Sequence, residues 1–268
     1  MAEMREAPLG VFDSGVGGLT VVHELIKQMP NESIIYYGDT AHVPYGERDP
    51  QELKGFAQNI TGYLVAQGCK MIIIACNTST SLAYEELKSN FSLPILGVIE
   101  PGANKALMAT KNLRVGVIGT VATIKSGAYQ QKLQAKNPEV QVFTEACPSF
   151  VPLVERGALR GAETRDIISG CLHPFLEKKI DTLILGCTHY PFLQPVIADV
   201  LGAETQIIDP ARETVRYAYE ELKKLALLND GTGKAVYKFI SSKNPKEFRA
   251  KGSIFLGRDL GVVEEVVL

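Results

Sequence analysis

Two cysteines of this chain each follow closely on an apolar run that predicts a buried strand. Cys76 comes directly after residues 71–75, and Cys187 comes one glycine after residues 182–185. A thiol, with a pKa near ~8.5, can release a proton close to neutral pH, and its thiolate accepts one readily. Two thiols on opposite faces of a carbon could therefore remove its proton from one side and return a proton to the other. These residue types predict inversion of configuration at an acidic carbon.

The pair of cysteines is more informative than either cysteine alone. A single cysteine after a strand could equally be a small buried residue at a tight strand-to-helix turn. Asn77 and Thr78 follow Cys76, and Thr188 follows Cys187, so polar side chains are in place to cap helices that start there. Because a helix N-terminus favours a thiolate, we expect each cysteine to lie at the start of a helix.

Asp13 and His189 are the candidates to assist the two thiols, because each occupies a loop after a predicted strand. Asp13 with Ser14 could instead cap the next helix, and an isolated histidine is often structural. The amides of residues 15–18 could bind a carboxylate of the kind an amino acid carries, as helix starts commonly do. Hydroxyl groups that could join them are those of Ser14, Thr78 and Thr188.

The elements that position these residues alternate between apolar runs and segments of helical periodicity. Because strand–helix alternation predicts parallel sheets, and runs such as 71–75 are apolar on both faces, helices should cover both sides. We therefore predict an α/β fold of the doubly wound class, with the polar strand ends at one rim. The predicted strands are residues 9–12, 33–37, 70–75, 95–98, 114–118, 140–144, 182–185 and 206–208.

Two pairs of similar segments within the sequence indicate a duplicated fold. Residues 10–15 resemble residues 116–121, and residues 72–78 resemble residues 182–188, so that the two cysteines occupy equivalent places. A chain of 268 residues is long enough for two domains. With crossings near Val98 and Ile208, we predict similar domains formed by residues 1–98 plus 211–268 and by residues 99–210. A helix over 211–228 would return to the first domain, and strand-like runs at 236–241 and 253–256 would extend a sheet edge.

Composition excludes several classes of protein. With 28 basic and 30 acidic side chains, the net charge of −2 offers no basic surface to nucleic acid. The longest apolar stretches are far shorter than the roughly 20 residues of a membrane span, and residues 1–10 lack the apolar core of a signal peptide. Five widely spaced cysteines favour neither a disulfide scaffold nor a zinc site. We expect a cytoplasmic protein that binds neither nucleic acid nor membrane.

The glycine-rich loop after the first predicted strand also invites a dinucleotide-binding interpretation. Residues 15–20 partly match the fingerprint G-x-G-x-x-G, and Asp39 ends the next predicted strand as that fingerprint requires. The match fails at Thr20, which replaces the third glycine. Asp13 would also repel a phosphate at this loop. Nucleotide binding is therefore the weaker interpretation.

Four motifs together resemble the glutamate racemases of the aspartate/glutamate racemase family, and they occur in the family's order. The resemblance extends over nearly the whole chain. It implies interconversion of L- and D-glutamate with no cofactor, neither pyridoxal phosphate nor metal, to supply D-glutamate for peptidoglycan. The motifs are GVFDSGVGGLT at 10–20, VPYG at 43–46, ACNTST at 75–80 and GCTHYP at 186–191.

The same resemblance implies roles for individual residues. Cys76 and Cys187 would be the two bases, assisted by Asp13 and His189, and Glu155 resembles a family acid near the site. The fold implied is two similar α/β domains with the active site in the cleft between them, in a homodimer. Because few residues precede Leu9, we also expect no requirement for an activating metabolite. The implied substrate contacts are Asp13, Ser14, Tyr45, Gly46, Asn77, Thr78, Thr188 and His189.

Three alternatives are also compatible with the sequence. A sister racemase acting on aspartate or a hydantoin would share the paired cysteines, and its substrate profile would distinguish it. A cysteine hydrolase would use Cys187 as nucleophile and His189 as base, and it would not need Cys76. A two-domain amino-acid-binding protein without catalysis would tolerate the loss of either thiol.

Overall fold

A computed structural model describes residues 2–229, 231 and 233–268. Among these residues, no helix is long and apolar enough to cross a membrane. The strands are β1 (Leu9–Asp13), β2 (Ile34–Gly38), β3 (Met71–Ile74), β4 (Ile95–Gly97), β5 (Arg114–Gly119), β6 (Gln141–Ala146), β7 (Thr182–Gly186), β8 (Gln206–Ile208), β9 (Tyr237–Ser241) and β10 (Val263–Glu265).

The helices lie between the strands in the alternating order that the sequence predicts. Two short 3-10 helices, Tyr45–Glu47 and Tyr190–Leu193, interrupt the connections. The α-helices are α1 (Ala2–Glu6), α2 (Leu19–Gln28), α3 (Pro50–Ala66), α4 (Asn77–Asn90), α5 (Ile99–Ala109), α6 (Val121–Lys125), α7 (Ala128–Lys136), α8 (Phe150–Glu155), α9 (Ala162–Lys178), α10 (Gln194–Leu201), α11 (Pro210–Lys224) and α12 (Pro245–Leu256).

The chain divides into two compact units, Met1–Val98 with Ala211–Leu268, and Ile99–Pro210. The first unit contains a parallel sheet in the order β10-β9-β2-β1-β3-β4. Val11 faces a core built with α2, α11 and α12, whereas its neighbour Phe12 faces a core built with α3 and α4. Because the strand alternates its side chains between two buried faces, residues 9–12 carry no polar side chain. The predicted doubly wound α/β class is confirmed.

The second unit contains a parallel sheet in the order β6-β5-β7-β8. Val115 and Val117 of β5 pack on one face with residues of α5 and α7. Gly116 points to the other face, where it lies against Phe175 of α9. In this unit β5 lies beside the cysteine-bearing strand β7, just as β1 lies beside β3 in the first unit. The two pairs of similar sequence segments thus fall on strands at corresponding positions of the two sheets.

The C-terminal region corrects two predictions. Residues 253–256 form the end of α12 and not a strand, and the edge strand is β10. Pro245 at the first helical turn and Gly257, whose φ is 73°, delimit the helix, as such residues do. The helix predicted over 211–228 is α11, which ends at Lys224, and Ala226 beyond it has a φ of 57°.

The structure also joins two cysteines that the sequence analysis left unpaired. Cys147, immediately after β6, forms a disulfide with Cys171 in α9, 24 residues along the chain. Cys69, Cys76 and Cys187 are not disulfide-bonded. The spacing gave no sign of this pair because α9 must fold back on β6 before the two side chains meet.

A buried ion pair connects the entrances of β2 and β3. Glu32 Oε2 lies 2.6 Å from Lys70 Nζ, and each side chain is 1% exposed. Lys70 also donates to the carbonyl groups of Leu227 and Arg5, while Glu32 accepts from the amide of Asn229. Burial lowers the pKa of Lys70, although Glu32 opposes the shift. The pair therefore ties the segments before β1 and after α11 to the sheet.

We expect Lys70→Met to lower the free energy of unfolding by about 3–5 kcal/mol, because Glu32 would stay buried without its countercharge. Chemical denaturation followed by circular dichroism measures the loss. The double variant Lys70→Met with Glu32→Gln removes both charges and should regain much of the stability. An equal loss in the single and double variants would contradict the importance of charge pairing here.

Asp181 organises the loop that leads into β5. Its carboxylate accepts from the Thr110 hydroxyl at 2.6 Å, the Lys111 amide at 2.7 Å, the Asn112 amide at 2.8 Å and the Thr182 hydroxyl at 3.0 Å. Partial burial acts to raise the pKa of Asp181, but these hydrogen bonds outweigh it and lower the pKa below 3.8. The carboxylate is therefore bound more strongly in the folded chain than in the unfolded chain.

We expect Asp181→Asn to destabilise the protein by about 1.5–3 kcal/mol at neutral pH, the range for hydrogen bonds to a charged group. The unfolded chain holds the proton more tightly, so the contribution is complete well above pH 3.8 and disappears as the pH falls through the lowered pKa. The stability difference between wild type and variant should accordingly shrink in acid. Asp166→Asn, at an exposed aspartate, is the control. A difference independent of pH would contradict this account.

Candidate active site

Cys76 lies at the junction between β3 and α4, where it is the N-cap residue of a 14-residue helix. Its side chain is 5% exposed, and its sulfur accepts from the amide of Ser79 at 3.5 Å. Asn77 and Thr78 form the first turn and are both buried. An amide donor and the positive end of the helix dipole both favour a thiolate here. The predicted helix N-terminus is therefore present at this cysteine.

Asp13 ends β1 next to the strand that carries Cys76. It is fully buried, and its Oδ2 accepts from the amides of Gly15 at 3.2 Å and Gly18 at 2.9 Å. Two of the amides that the sequence offered to a ligand carboxylate are thus bound by the chain's own carboxylate. Asp13 therefore holds the loop that precedes α2, whose N-cap residue is Gly18, and Ser14 follows in the partly buried loop.

Tyr36 supports the same loop, although nothing in the sequence distinguishes it from a core residue. Its hydroxyl donates to the Gly15 carbonyl at 2.7 Å. Burial, followed by the nearby charges of Asp13 and Cys76, raises its pKa well above the ordinary value, so the phenol stays a donor. A side chain at Gly18 would place its Cβ 2.8 Å from this hydroxyl and 2.5 Å from the Cβ of Asp13. Only glycine fits there without moving the carboxylate.

Tyr45 lies against Cys76 in a small buried cluster that also includes Leu53. Its hydroxyl donates to Asp39 Oδ2 at 2.5 Å, and the other oxygen of Asp39 accepts from the Ser242 hydroxyl at 2.7 Å. Burial, followed by Asp39, raises the pKa of Tyr45 far above its ordinary value. Asp39 thus holds the turn that contains Tyr45 and Gly46, a role that its sequence position did not reveal. Asp39 is the acidic residue that the dinucleotide interpretation requires, but its carboxylate binds the protein's own hydroxyls. This argues against dinucleotide binding.

The second unit contains the other candidate residues. Cys187, directly after β7, is 7% exposed, and its sulfur lies 4.0 Å from Nδ1 of His189. Nε2 of the same ring lies 2.9 Å from Oε1 of Glu155, at the end of α8. Thr188 between them is buried. A carboxylate at this distance orients the imidazole and favours its protonated form, so the ring can exchange a proton with the thiol.

The surroundings of the two cysteines differ in one respect from the prediction. Cys187 is followed by the single-turn 3-10 helix Tyr190–Leu193 and not by a long α-helix. The helix-dipole contribution expected at both thiols therefore applies to Cys76, whereas Cys187 has an imidazole and a carboxylate in its place. The first unit brings together Asp13, Ser14, Tyr45, Gly46, Cys76, Asn77 and Thr78, and the second unit brings together Glu155, Cys187, Thr188 and His189.

The fold and these two half-sites define a two-unit α/β protein with candidate thiol catalysts at corresponding strand ends. Residues 13–218 match the Asp/Glu/Hydantoin racemase family. The chain belongs to this family.

Individual relatives extend the match to both ends of the chain. A glutamate racemase of Streptococcus agalactiae serotype III (strain NEM316) is 42% identical over 266 residues, which cover 99% of this chain and 100% of the relative. Among solved structures, a glutamate racemase isoform of Bacillus anthracis superposes with a TM-score of 0.95 at 36% identity. The glutamate racemase of Francisella tularensis in complex with D-glutamate gives 0.92 at 38% identity. Each of the two superpositions covers 98% of this chain and 98% of the other protein's chain.

Proposed function

We propose that this protein is a glutamate racemase, which interconverts L- and D-glutamate and supplies D-glutamate for peptidoglycan. The observation that carries the proposal is 42% identity over 99% of the chain to a glutamate racemase. The Francisella tularensis structure at 38% identity, which holds D-glutamate, supports the choice of substrate. This favours glutamate over the aspartate and hydantoin alternatives.

In the proposed mechanism, Cys76 acts on one face of the α-carbon. As a thiolate it removes the α-proton, and as a thiol it returns one, so its role depends on which enantiomer is bound. The Ser79 amide and the start of α4 stabilise the thiolate before substrate binds. Asp13 keeps the glycine loop in place and is the proposed acid–base partner of this thiol.

Cys187 acts on the opposite face in the same mechanism. His189 exchanges a proton with the sulfur, and Glu155 compensates the charge that the imidazole acquires. After one conversion the two sulfurs have exchanged protonation states, which prepares the enzyme for the reverse direction. Proposed substrate contacts are Ser14, Tyr45, Gly46, Asn77, Thr78 and Thr188, with Asp13 and His189.

The reaction is proposed to need no cofactor. Because two thiols provide the proton transfers, activity should survive dialysis against a chelator and treatment with a carbonyl reagent that traps pyridoxal phosphate. We place the enzyme in the cytoplasm, because a reducing compartment keeps Cys76 and Cys187 as thiols. The homodimer remains a prediction that light scattering tests, and independence of an activating metabolite is checked by adding a cell-wall precursor.

One geometric feature favours a second candidate, a cysteine hydrolase. The order thiol, imidazole and carboxylate of Cys187, His189 and Glu155 is also that of a nucleophilic catalytic triad. A hydrolase would show a burst of acyl-enzyme and would keep its activity in Cys76→Ser. The racemase requires both thiols.

The proposal is tested by incubating the protein with each glutamate enantiomer in D2O. Nuclear magnetic resonance follows loss of the α-hydrogen, and circular dichroism follows racemisation. We expect both enantiomers to racemise with incorporation of solvent deuterium, and aspartate to react far more slowly. If neither enantiomer exchanges its α-hydrogen, the racemase proposal is wrong and the non-catalytic binding protein becomes the leading alternative.

A further inference from the structure

The disulfide between Cys147 and Cys171 lies in the same unit as His189 and Glu155. Cys147 directly follows β6 and is 2% exposed, whereas Cys171 in α9 is partly exposed. None of the proposed proton transfers uses either sulfur. Cytoplasmic disulfides of mesophilic organisms are usually transient and catalytic or redox-sensing. This cross-link is therefore unusual in the compartment proposed above.

Two connections lead from Cys147 to the proposed acid–base pair. Its carbonyl accepts from the hydroxyl of Tyr190 at 2.9 Å, and Tyr190 is the residue next to His189. Three residues after Cys147, Phe150 begins α8, and its ring packs edge-on against Tyr190 with 5.1 Å between centroids. The same helix ends at Glu155, which bonds to His189. His189 is therefore connected to the cross-linked turn through Tyr190, and Glu155 is connected to it through α8.

The segment from β6 to the end of α8 is held by strand pairing, by the buried side chains of Phe150, Leu153 and Val154 in α8, and by the disulfide. β6 is an edge strand that pairs only with β5, and all six of its residues are at least partly exposed. α8 has six residues, too few to be a stable helix without tertiary contacts. The disulfide fastens this segment to α9, a 17-residue helix of the same unit. Because so short a helix takes its position from its tertiary contacts, we expect loss of the cross-link to alter the position of α8 more than that of the sheet.

We propose that the Cys147–Cys171 disulfide is a redox-sensitive positioning element for Glu155 and His189. A dithiol reductant would attack the more exposed sulfur, that of Cys171. The sulfur–sulfur bond breaks, two electrons and two protons pass to the cysteines, and the reductant becomes its own disulfide. A small disulfide such as oxidised glutathione reverses the change by thiol–disulfide exchange. This inference rests on the proposed racemase function.

Deuterium exchange of the two glutamate enantiomers tests the inference. Wild type is assayed in its oxidised form and after dithiothreitol, with the state of Cys147 and Cys171 verified by alkylation and mass spectrometry. The exchange assigned to Cys187 is the one that Cys76→Ser retains. We expect reduction to lower that exchange about tenfold, because small misplacements of catalytic groups have effects of this size or larger. Exchange assigned to Cys76 should stay within about twofold.

Two variants complete the test. Cys171→Ser should behave like reduced wild type with or without dithiothreitol. Cys69→Ala should respond as wild type does, because burial raises the pKa of the Cys69 thiol to about 12 and keeps it inert. Thermal unfolding of each form distinguishes a local shift from general loss of structure.

Several outcomes would overturn the inference. Equal exchange rates in the verified oxidised and reduced forms would do so, as would a uniform change of both exchanges with a lower melting temperature. A rise of both rates with dithiothreitol would instead indicate protection of Cys76 and Cys187 from oxidation. The inference is also overturned if mass spectrometry never finds Cys147 and Cys171 cross-linked. If neither redox state exchanges either enantiomer, the proposed function itself fails and this inference falls with it.

Discussion

Cys76→Ser and Cys187→Ser should each lower racemisation by about 10²–10⁴-fold, the usual contribution of a positioned acid–base group. A serine hydroxyl is a far weaker acid than a thiol, so it can neither hold nor return the proton at neutral pH. Each variant should still exchange the α-hydrogen of one enantiomer through the thiol that remains. The retained enantiomer should differ between the two variants, which deuterium exchange measures directly.

Cys69→Ser is the matched control, because Cys69 is a buried packing residue of the first unit. It should keep racemisation and both exchange reactions. Retention of the same enantiomer by the two catalytic-site variants would contradict the assignment of one thiol to each face. Full activity of Cys76→Ser would favour the hydrolase alternative.

The second large effect is expected at His189. His189→Asn should lower the exchange that depends on Cys187 by about 10²-fold, because the sulfur loses the ring with which it exchanges a proton. Glu155→Gln should have a smaller effect of about tenfold, since an amide oxygen can still accept from the ring but carries no charge to stabilise imidazolium. Exchange that depends on Cys76 should change little in either variant.

His23→Asn provides the control, because His23 lies in the first unit and contacts the Leu256 carbonyl. It should leave both exchange reactions near wild type. If His189→Asn lowered both exchanges equally, the imidazole would have a general structural role and the proposed link to Cys187 would be wrong.

Much of the fold could be predicted because parallel strands buried on both faces leave a clear apolar pattern. All eight main strands lie within a few residues of the predicted runs, and β9 matches the run at 236–241. The run at 253–256 was misassigned, because Ile254, Phe255 and Leu256 are apolar in both interpretations. The helix is recognised only from Asn244, Pro245 and Gly257 around it.

The candidate site was predictable where it follows strand ends and not where it depends on distant partners. Cys76, Cys187 and Asp13 were found because each comes at the end of an apolar run. Tyr36 resembles any core residue of β2, and only the three-dimensional structure brings its hydroxyl to Gly15. Asp39 depends in the same way on Ser242, which is 203 residues away along the chain.

The different surroundings of the two thiols have a consequence for steady-state kinetics. The start of α4 does not titrate, whereas an imidazole such as the one beside Cys187 can, so kcat and KM taken separately should depend differently on pH in the two directions. L- and D-glutamate have equal free energies, however, and the equilibrium constant between them is therefore unity at every pH. The Haldane relation then requires kcat/KM to be the same in both directions. The asymmetry of the two half-sites can appear only as changes in kcat and KM that rise or fall in proportion.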